Sequence, residues 1–139
     1  MTHIVTNIIL KGDRVLVGRY SERNPKEYLR GLYTGPGGGV ELGETQWDAA
    51  AREIREETGT DAGLTPYGMR LFEALPAGHG FTMPAIVAAV LWTADGSYKP
   101  RTTELDKVGE WRWVPIEQHP GLLCCAPLHW LSLVAWGVR

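Results

Sequence analysis

The chain has 139 residues, 44% of them hydrophobic and 22% charged, with a formal net charge of −2. Such a composition predicts one globular domain over residues 1–139, long enough to bury a real core. It leaves no basic footprint for a nucleic-acid polymer, and no run approaches the ~18 apolar residues of a membrane span.

In chain order, "IVTNIIL" (4–10) and "RVLVGRY" (14–20) read as two strands joined by the turn "KGD". No basic stretch or small-residue cleavage site precedes them, so no secretory leader is expected. "SERNPKEYLRGLYTGPGGG" (21–39) is a polar connection rich in glycine and proline, of a length usually reserved for function or disorder. "TQWDAAAREIREET" (45–58) predicts a helix, with Thr45 as N-cap, Asp48 closing an acidic capping box and Gly59 as the stop. Its Trp47, Ala50, Ala51 and Ile54 recur at helical spacing and are expected to face the core.

"YGMRLFEAL" (67–75) and "FTMPAIVAAVLWTA" (81–94) follow as strands, the second apolar enough to be buried on both faces. "EWRWVPIEQ" (110–118) reads as a strand leaving into a turn or short helix at Pro115, with Trp111 and Trp113 alternating onto one core-facing side. "APLHWLSLVAWGV" (126–138) predicts a closing helix packed through its leucines, Trp130 and Trp136. This irregular order of strands and helices predicts an α+β fold, a mixed β-sheet sandwiched between helices. The only cysteines, Cys124 and Cys125, are neighbours and cannot staple distant segments. Both are expected to be buried packing residues in a reduced, cytoplasmic protein.

The helix carries Glu53, Glu56 and Glu57, three and four residues apart, where like charges on one face repel. One reading is a solvated face laced with Arg–Glu pairs, Arg52 lying four residues before Glu56. The other is a platform for magnesium, which takes oxygen ligands and commonly pairs a few carboxylates with substrate phosphates.

The surrounding spacing favours the second. Gly38, five residues, Glu44, seven residues, then Arg52-Glu53-Ile54-Arg55-Glu56-Glu57-Thr58-Gly59 resembles the signature of the Nudix hydrolases, GX5EX7REUXEEXGU, with U a bulky aliphatic. The lead-in "PGGGVELGE" (36–44) is similar to that family's glycine-rich loop, and length and element order resemble its small MutT-like members. Two positions depart from the pattern. Thr60 replaces the last aliphatic, and "YTG" (33–35) stands where the family often carries Trp-x-Leu before Pro-Gly-Gly.

The resemblance implies the Nudix fold and attack of water on a diphosphate in a nucleoside diphosphate derivative, with Mg2+ required and Mn2+ as substitute. It implies Glu53, Glu56, Glu57 and the Gly37 carbonyl as metal ligands, with Arg52 and Glu44 orienting the ligand carboxylates. The general base is Glu53 or an acid from a distant loop. Glu104, in "TTELDKVGEW", stands where relatives carry a further metal-binding glutamate, with Asp106 and Glu110 as neighbouring alternatives. Arg19, Arg23, Lys26 and Arg30 are candidates to grip phosphate, although Glu22 and Glu27 lie among them and would suit a solvated loop. Tyr28, Tyr33 and Phe81 are candidates to stack on a nucleobase. His79 and His119, in turn-like contexts, are not expected to be catalytic.

A nucleoside triphosphate, ordinary or oxidised, is the first expected substrate. ADP-ribose or another nucleotide sugar is second, on the weak marker of Pro76, and diadenosine polyphosphates are third. A non-catalytic nucleotide sensor is the alternative class; such domains lose acids that are all present here. The expected partner is a small-molecule nucleotide, and a homodimer stays open.

Overall fold

Nearly every residue of "IVTNIIL" is buried or half-buried, because this segment lies inside a sheet covered on both sides. The computed structural model describes residues 2–76 and 83–139. Its elements are β1 (Thr2–Lys11), β2 (Arg14–Arg19), β3 (Tyr33–Thr34), β4 (Gly37–Gly39), α1 (Gln46–Thr58), β5 (Leu64–Ala74), β6 (Ala85–Ala94), β7 (Arg112–Pro115) and α2 (Pro127–Ala135). The strand order is β3-β2-β1-β6-β5, with β4 also paired to β1 and β7 to β2. β1 and β6 run parallel from Thr2↔Ala85 to Leu10↔Thr93, and the other pairings are antiparallel, so the sheet is mixed.

The expected hairpin is present but short. β2 meets β1 only at Leu10↔Val15 and Lys11↔Arg14, then turns its length to β7. That frees the early half of β1 to accept the glycine strand, at Ile4↔Gly39, Val5↔Gly38 and Thr6↔Gly37. A loop in the sequence is thereby fixed to the middle of the sheet.

Alternation along β1 and β6 divides the core in two. Val5, Ile9, Ala88, Val90 and Trp92 face Ala49, Ala50 and Ile54 of α1. On the other face Ile8, Leu91, Val15 and Val17 meet Leu133 of α2, and Ile4 and Val87 meet Leu128. Helix, sheet and helix are thus stacked as the sequence predicts.

Several details differ from expectation. The inward stripe of α1 runs through Ala49/Ala50, Glu53/Ile54 and Glu57/Thr58, one step round from the apolar pattern. Trp47 is therefore 40% exposed and touches the core only edge-on against Trp92, ring centres 5.9 Å apart. β5 starts at Leu64, earlier than predicted, with an irregular register between Pro66 and Gly68 where proline lacks an N–H to donate. Trp136 packs against Gly68, where a Cβ would stand 2.8 Å from the indole. Cys125 is buried but Cys124 is exposed, since the short turn over Leu122–Cys124 ends before the chain re-enters the core. Trp111 and Trp113 share the α1 side of the core, and a single 3-10 turn follows Pro115, both as predicted. Among the described residues no helix is long and apolar enough to cross a membrane.

Candidate active site

α1 is locked at both ends. Thr45 Oγ1 accepts the Asp48 N–H and Asp48 Oδ2 accepts the Thr45 N–H, both at 3.1 Å, completing the capping box. At the other end Gly59 takes φ +81° and returns its N–H to the Arg55 carbonyl. The segment from Tyr98 to Trp111 satisfies the remaining C-terminal carbonyls: Trp111 Nε1 donates to Glu57 O at 2.9 Å and Arg101 N to Thr58 O at 2.8 Å. Tyr98 donates its hydroxyl to Thr58 Oγ1, which in turn donates to Ile54 O. The acid-bearing turn is therefore held by its own cap and by a second loop.

Arg52 organises the acids around it. Its Nε and Nη2 form a two-pronged contact with Glu44, at 2.7 and 3.0 Å. Nη2 also reaches Gly39 O at 2.9 Å, while Nη1 donates to Glu53 Oε1 at 3.0 Å and Glu56 Oε2 at 3.2 Å. The Arg52 contact holds the Glu44 carboxyl below its ordinary range. Glu56 fits the solvated-face reading, half-exposed and paired to Arg52.

Glu53 and Glu57 do not fit it, being only 8% exposed each. Glu57 Oε2 accepts the Gly37 N–H at 2.8 Å. Burial pushes Glu57 well above the usual carboxylate range, the Gly37 contact opposing and the Glu53 charge adding to the rise. Burial also raises Glu53, with the Arg52 contact opposing the rise. Gly38 lies against Glu53, so that a Cβ there would overlap its carboxyl oxygen. The glycine at position 38 thus lets backbone approach an acid.

These groups line one end of a cavity of about 530 Å³. Tyr20, Asn24, Lys26, Tyr28 and Lys107 also line it, as do Ile4, Thr6, Leu128 and His129. Among the described residues no three His, Cys, Asp or Glu side chains are placed to hold a metal ion as they stand. Glu56 is turned to Arg52, and Glu104 to Lys107 at 3.4 Å. The donor chemistry still fits a hard divalent cation. Two buried carboxyls line one cavity, no ion pair is made by Glu57 among the described residues, and the glycine strand brings backbone to within contact of both.

The structure separates the other expected residues. Lys26 and Tyr28 border the cavity. Arg19 instead binds Gly31 O at 3.0 Å, Arg30 binds Asn24 O at 2.7 Å, and Arg23 pairs with Asp106 at 3.0 Å. Those three arginines tie down the 19–31 loop, the mixed-charge reading of that segment. Tyr33 packs against the α2 side of the core, and Glu110 pairs with Arg112. Phe81 and His79 lie outside the described residues. Lys107, Asn24, Tyr20 and His129 at the cavity were not singled out from the sequence. Only Lys107 carried a signal there, a cation three residues after Glu104.

Comparison with known proteins adds the following. A NUDIX domain family model matches residues 1–129. An RNA pyrophosphohydrolase of Erythrobacter litoralis (strain HTCC2594) is 30% identical over 112 residues, covering 67% of this chain and 65% of its own length. Among solved structures, a MutT NUDIX hydrolase from Burkholderia pseudomallei superposes with a TM-score of 0.71 at 21% identity, covering 96% of each chain. A C. elegans Ap4A hydrolase superposes with a TM-score of 0.72, also at 21% identity, over 99% of this chain and 96% of its own. At these identities the superpositions establish the shared fold.

Proposed function

Because this chain belongs to the NUDIX family, we propose that it is a single-domain, divalent-metal-dependent pyrophosphohydrolase acting on a nucleoside diphosphate derivative. A nucleoside triphosphate cleaved to monophosphate and pyrophosphate is the first substrate. The observation that carries this reading is the pair of buried acids Glu53 and Glu57 lining a cavity that Lys26 and Lys107 also line. Buried like charges are costly, so a site that keeps them is built for a cation that arrives with substrate.

Glu53, Glu57 and the Gly37 carbonyl would hold the metal, joined by Glu56 once it leaves Arg52; Glu104 is a further candidate, once it leaves Lys107. Magnesium, or manganese in its place, supplies neutralisation of the diphosphate and acidification of the attacking water when bound. Arg52 keeps Glu53 Oε1 occupied, which leaves Oε2 as the atom that takes the proton of that water. Glu44 holds Arg52 in that duty through its two contacts. Lys26 and Lys107 meet the phosphate charge, and the Tyr28 ring borders the space left for the nucleoside.

The test is a product-resolved chromatography screen with magnesium. Its panel holds ordinary and oxidised nucleoside triphosphates, ADP-ribose, other nucleotide sugars, diadenosine polyphosphates and RNA with a 5′-triphosphate. The last two take in what the named relatives act on. Monophosphate plus pyrophosphate is the expected product pair. Glu57→Gln should abolish turnover while the protein stays folded, since an amide replaces a carboxyl that burial already drives towards its neutral form. Nucleotide binding with no turnover of any substrate would overturn the enzyme in favour of a sensor.

A further inference from the structure

The glycine strand is held from its far side by a buried relay that the acid chemistry does not use. Gly35 donates its N–H to His129 Nδ1 at 3.1 Å. His129 Nε2 lies 3.0 Å from His119 Nε2, and His119 Nδ1 lies 2.7 Å from Pro120 O. A carbonyl only accepts, so His119 Nδ1 carries the proton and, in the neutral ring, its Nε2 is the acceptor. His129 must then donate through Nε2, which leaves its Nδ1 lone pair free for Gly35. One protonation pattern satisfies all three links, with both rings neutral.

Burial supports it, pushing the His129 ring down to about 3 and lowering His119 as well. Both rings are almost wholly shielded, and His129 borders the cavity. The segment it grips has no slack. Asn7 donates to Pro36 O at 2.8 Å, and a Cβ on Gly35 would overlap the Asn7 carbonyl. Two residues further on, Gly37 donates to Glu57.

Building on the hydrolase reading above, we propose that His129 is a positioning residue of the reaction: its Nδ1 fixes the Gly35–Gly39 segment against Glu53 and Glu57, and His119 selects the tautomer that can do so. The residue acts through the backbone and touches no reacting atom.

The test compares His129→Leu with His129→Asn, whose Oδ1 stands close to where Nδ1 stood and accepts the same N–H. His129→Leu should lose kcat on the order of 10–100-fold, as supporting groups around metal sites do, with KM for the nucleotide little changed. His129→Asn should recover most of that loss. Full kcat in folded His129→Leu, or equal loss in both folded variants, overturns the proposal. Two readouts need no turnover and no folded variant. In the wild-type protein, imidazole nitrogen NMR should find His129 Nδ1 unprotonated, and the Gly35 amide should exchange slowly with solvent. A protonated Nδ1 or a rapidly exchanging Gly35 amide overturns the proposal even if His129→Leu fails to fold. If the substrate panel shows no turnover at all, the hydrolase reading fails, and these two readouts still judge the relay separately.

Discussion

The two helices press on one sheet from opposite sides and are held in opposite ways. α1 is capped by its own side chains, Thr45 and Asp48 at the start and Gly59 at the end, and its outer turns carry an arginine hub with four acids. α2 has no side-chain cap at Ala126, begins with Pro127 and has His129 as its only ionisable side chain. Its ends lean on other elements: Arg70 of β5 donates to Ala135 O at 2.6 Å and lies over Trp136. Inside it, Ser132 donates to Leu128 O and pairs with Thr6. α1 thus brings charge to the cavity on a locally secured scaffold. α2 brings one neutral ring, on a scaffold secured by burial. Local security and the proposed chemistry coincide in the first helix and are separate in the second.

The sharpest way to break this contrast is to disturb the charge of α1 without disturbing its packing. Gly38→Ala does so. The atoms nearest its Cβ would be the end of the Glu53 side chain, which can swing aside. Folding should therefore change little, while displacement of Glu53 from Arg52 and the cavity should cost kcat about 100-fold, the scale of an ångström-sized misplacement. Gly37→Ala is the control, because its Cβ meets the fixed carbonyl of Val5 and should damage stability as well. Thermal melts and single-substrate kinetics on both variants read the difference. Equal melting losses would mean that the acid end of α1 and the glycine strand are one packed unit.

The second test sharpens the role of α2 through pH. The unfolded chain protonates His129 near the ordinary histidine value of 6.5, whereas the folded chain resists until about pH 3. The unfolded state therefore binds more protons in that window, and stability falls as pH falls. At about 1.4 kcal/mol per unit, the drop between pH 6.5 and 5 is about 2 kcal/mol. Glu57 opposes it: its raised folded value means that the native state gains protons first, which adds stability as pH falls towards 4.5. Wild type alone would blend the two. His129→Asn keeps the Glu57 effect and removes the His129 effect. Its stability relative to wild type should rise by about 2 kcal/mol over that window, read by denaturant melts at several pH values. A constant difference would mean that His129 takes up its proton alike in the folded and unfolded states. Among the described residues His119 lies against it, itself lowered by burial and sharing the sign.

What the sequence disclosed follows the same division. The α1 site is written in consecutive residues: a cap, a glycine run and acids at helical spacing, all within 37–59. Their consequences are local, so the helix and its bounds are legible in advance, whereas the grip of Arg52 on Glu44 appears only in the structure. The position of Trp47 was not, because Glu53 and Glu57 turn inward and pull the buried stripe round the helix, against the rule that acids face water. The relay is the opposite case. Gly35, His119 and His129 are far apart in sequence, and each looks ordinary beside its neighbours. Lys107 and Asn24 reach the cavity on loops whose approach depends on tertiary closure. Arg19, Arg23 and Arg30 show the converse: a run of cations near a glycine loop suggests phosphate, whereas in the structure backbone carbonyls and Asp106 engage them.

The smallest expected effect tests whether α1 transmits strain along its axis. Thr45→Ala removes one half of the capping box, worth about 1 kcal/mol in comparable helices. The damage lies at the N-terminal turn, whereas Glu53 and Glu57 sit on the last two turns. Those turns are tied independently by Trp111 to Glu57 O, Arg101 to Thr58 O and Tyr98 to Thr58 Oγ1. The N-terminal turn can fray with the acids still in register, so the denaturation midpoint should fall while kcat and the magnesium concentration for half-activity stay at wild-type values. Glu44 is the one point of risk, since it immediately precedes Thr45 and holds Arg52. A fall in kcat with KM unchanged would therefore mean that the cap positions Glu44, and that the start of α1 belongs to the chemistry as much as its end does.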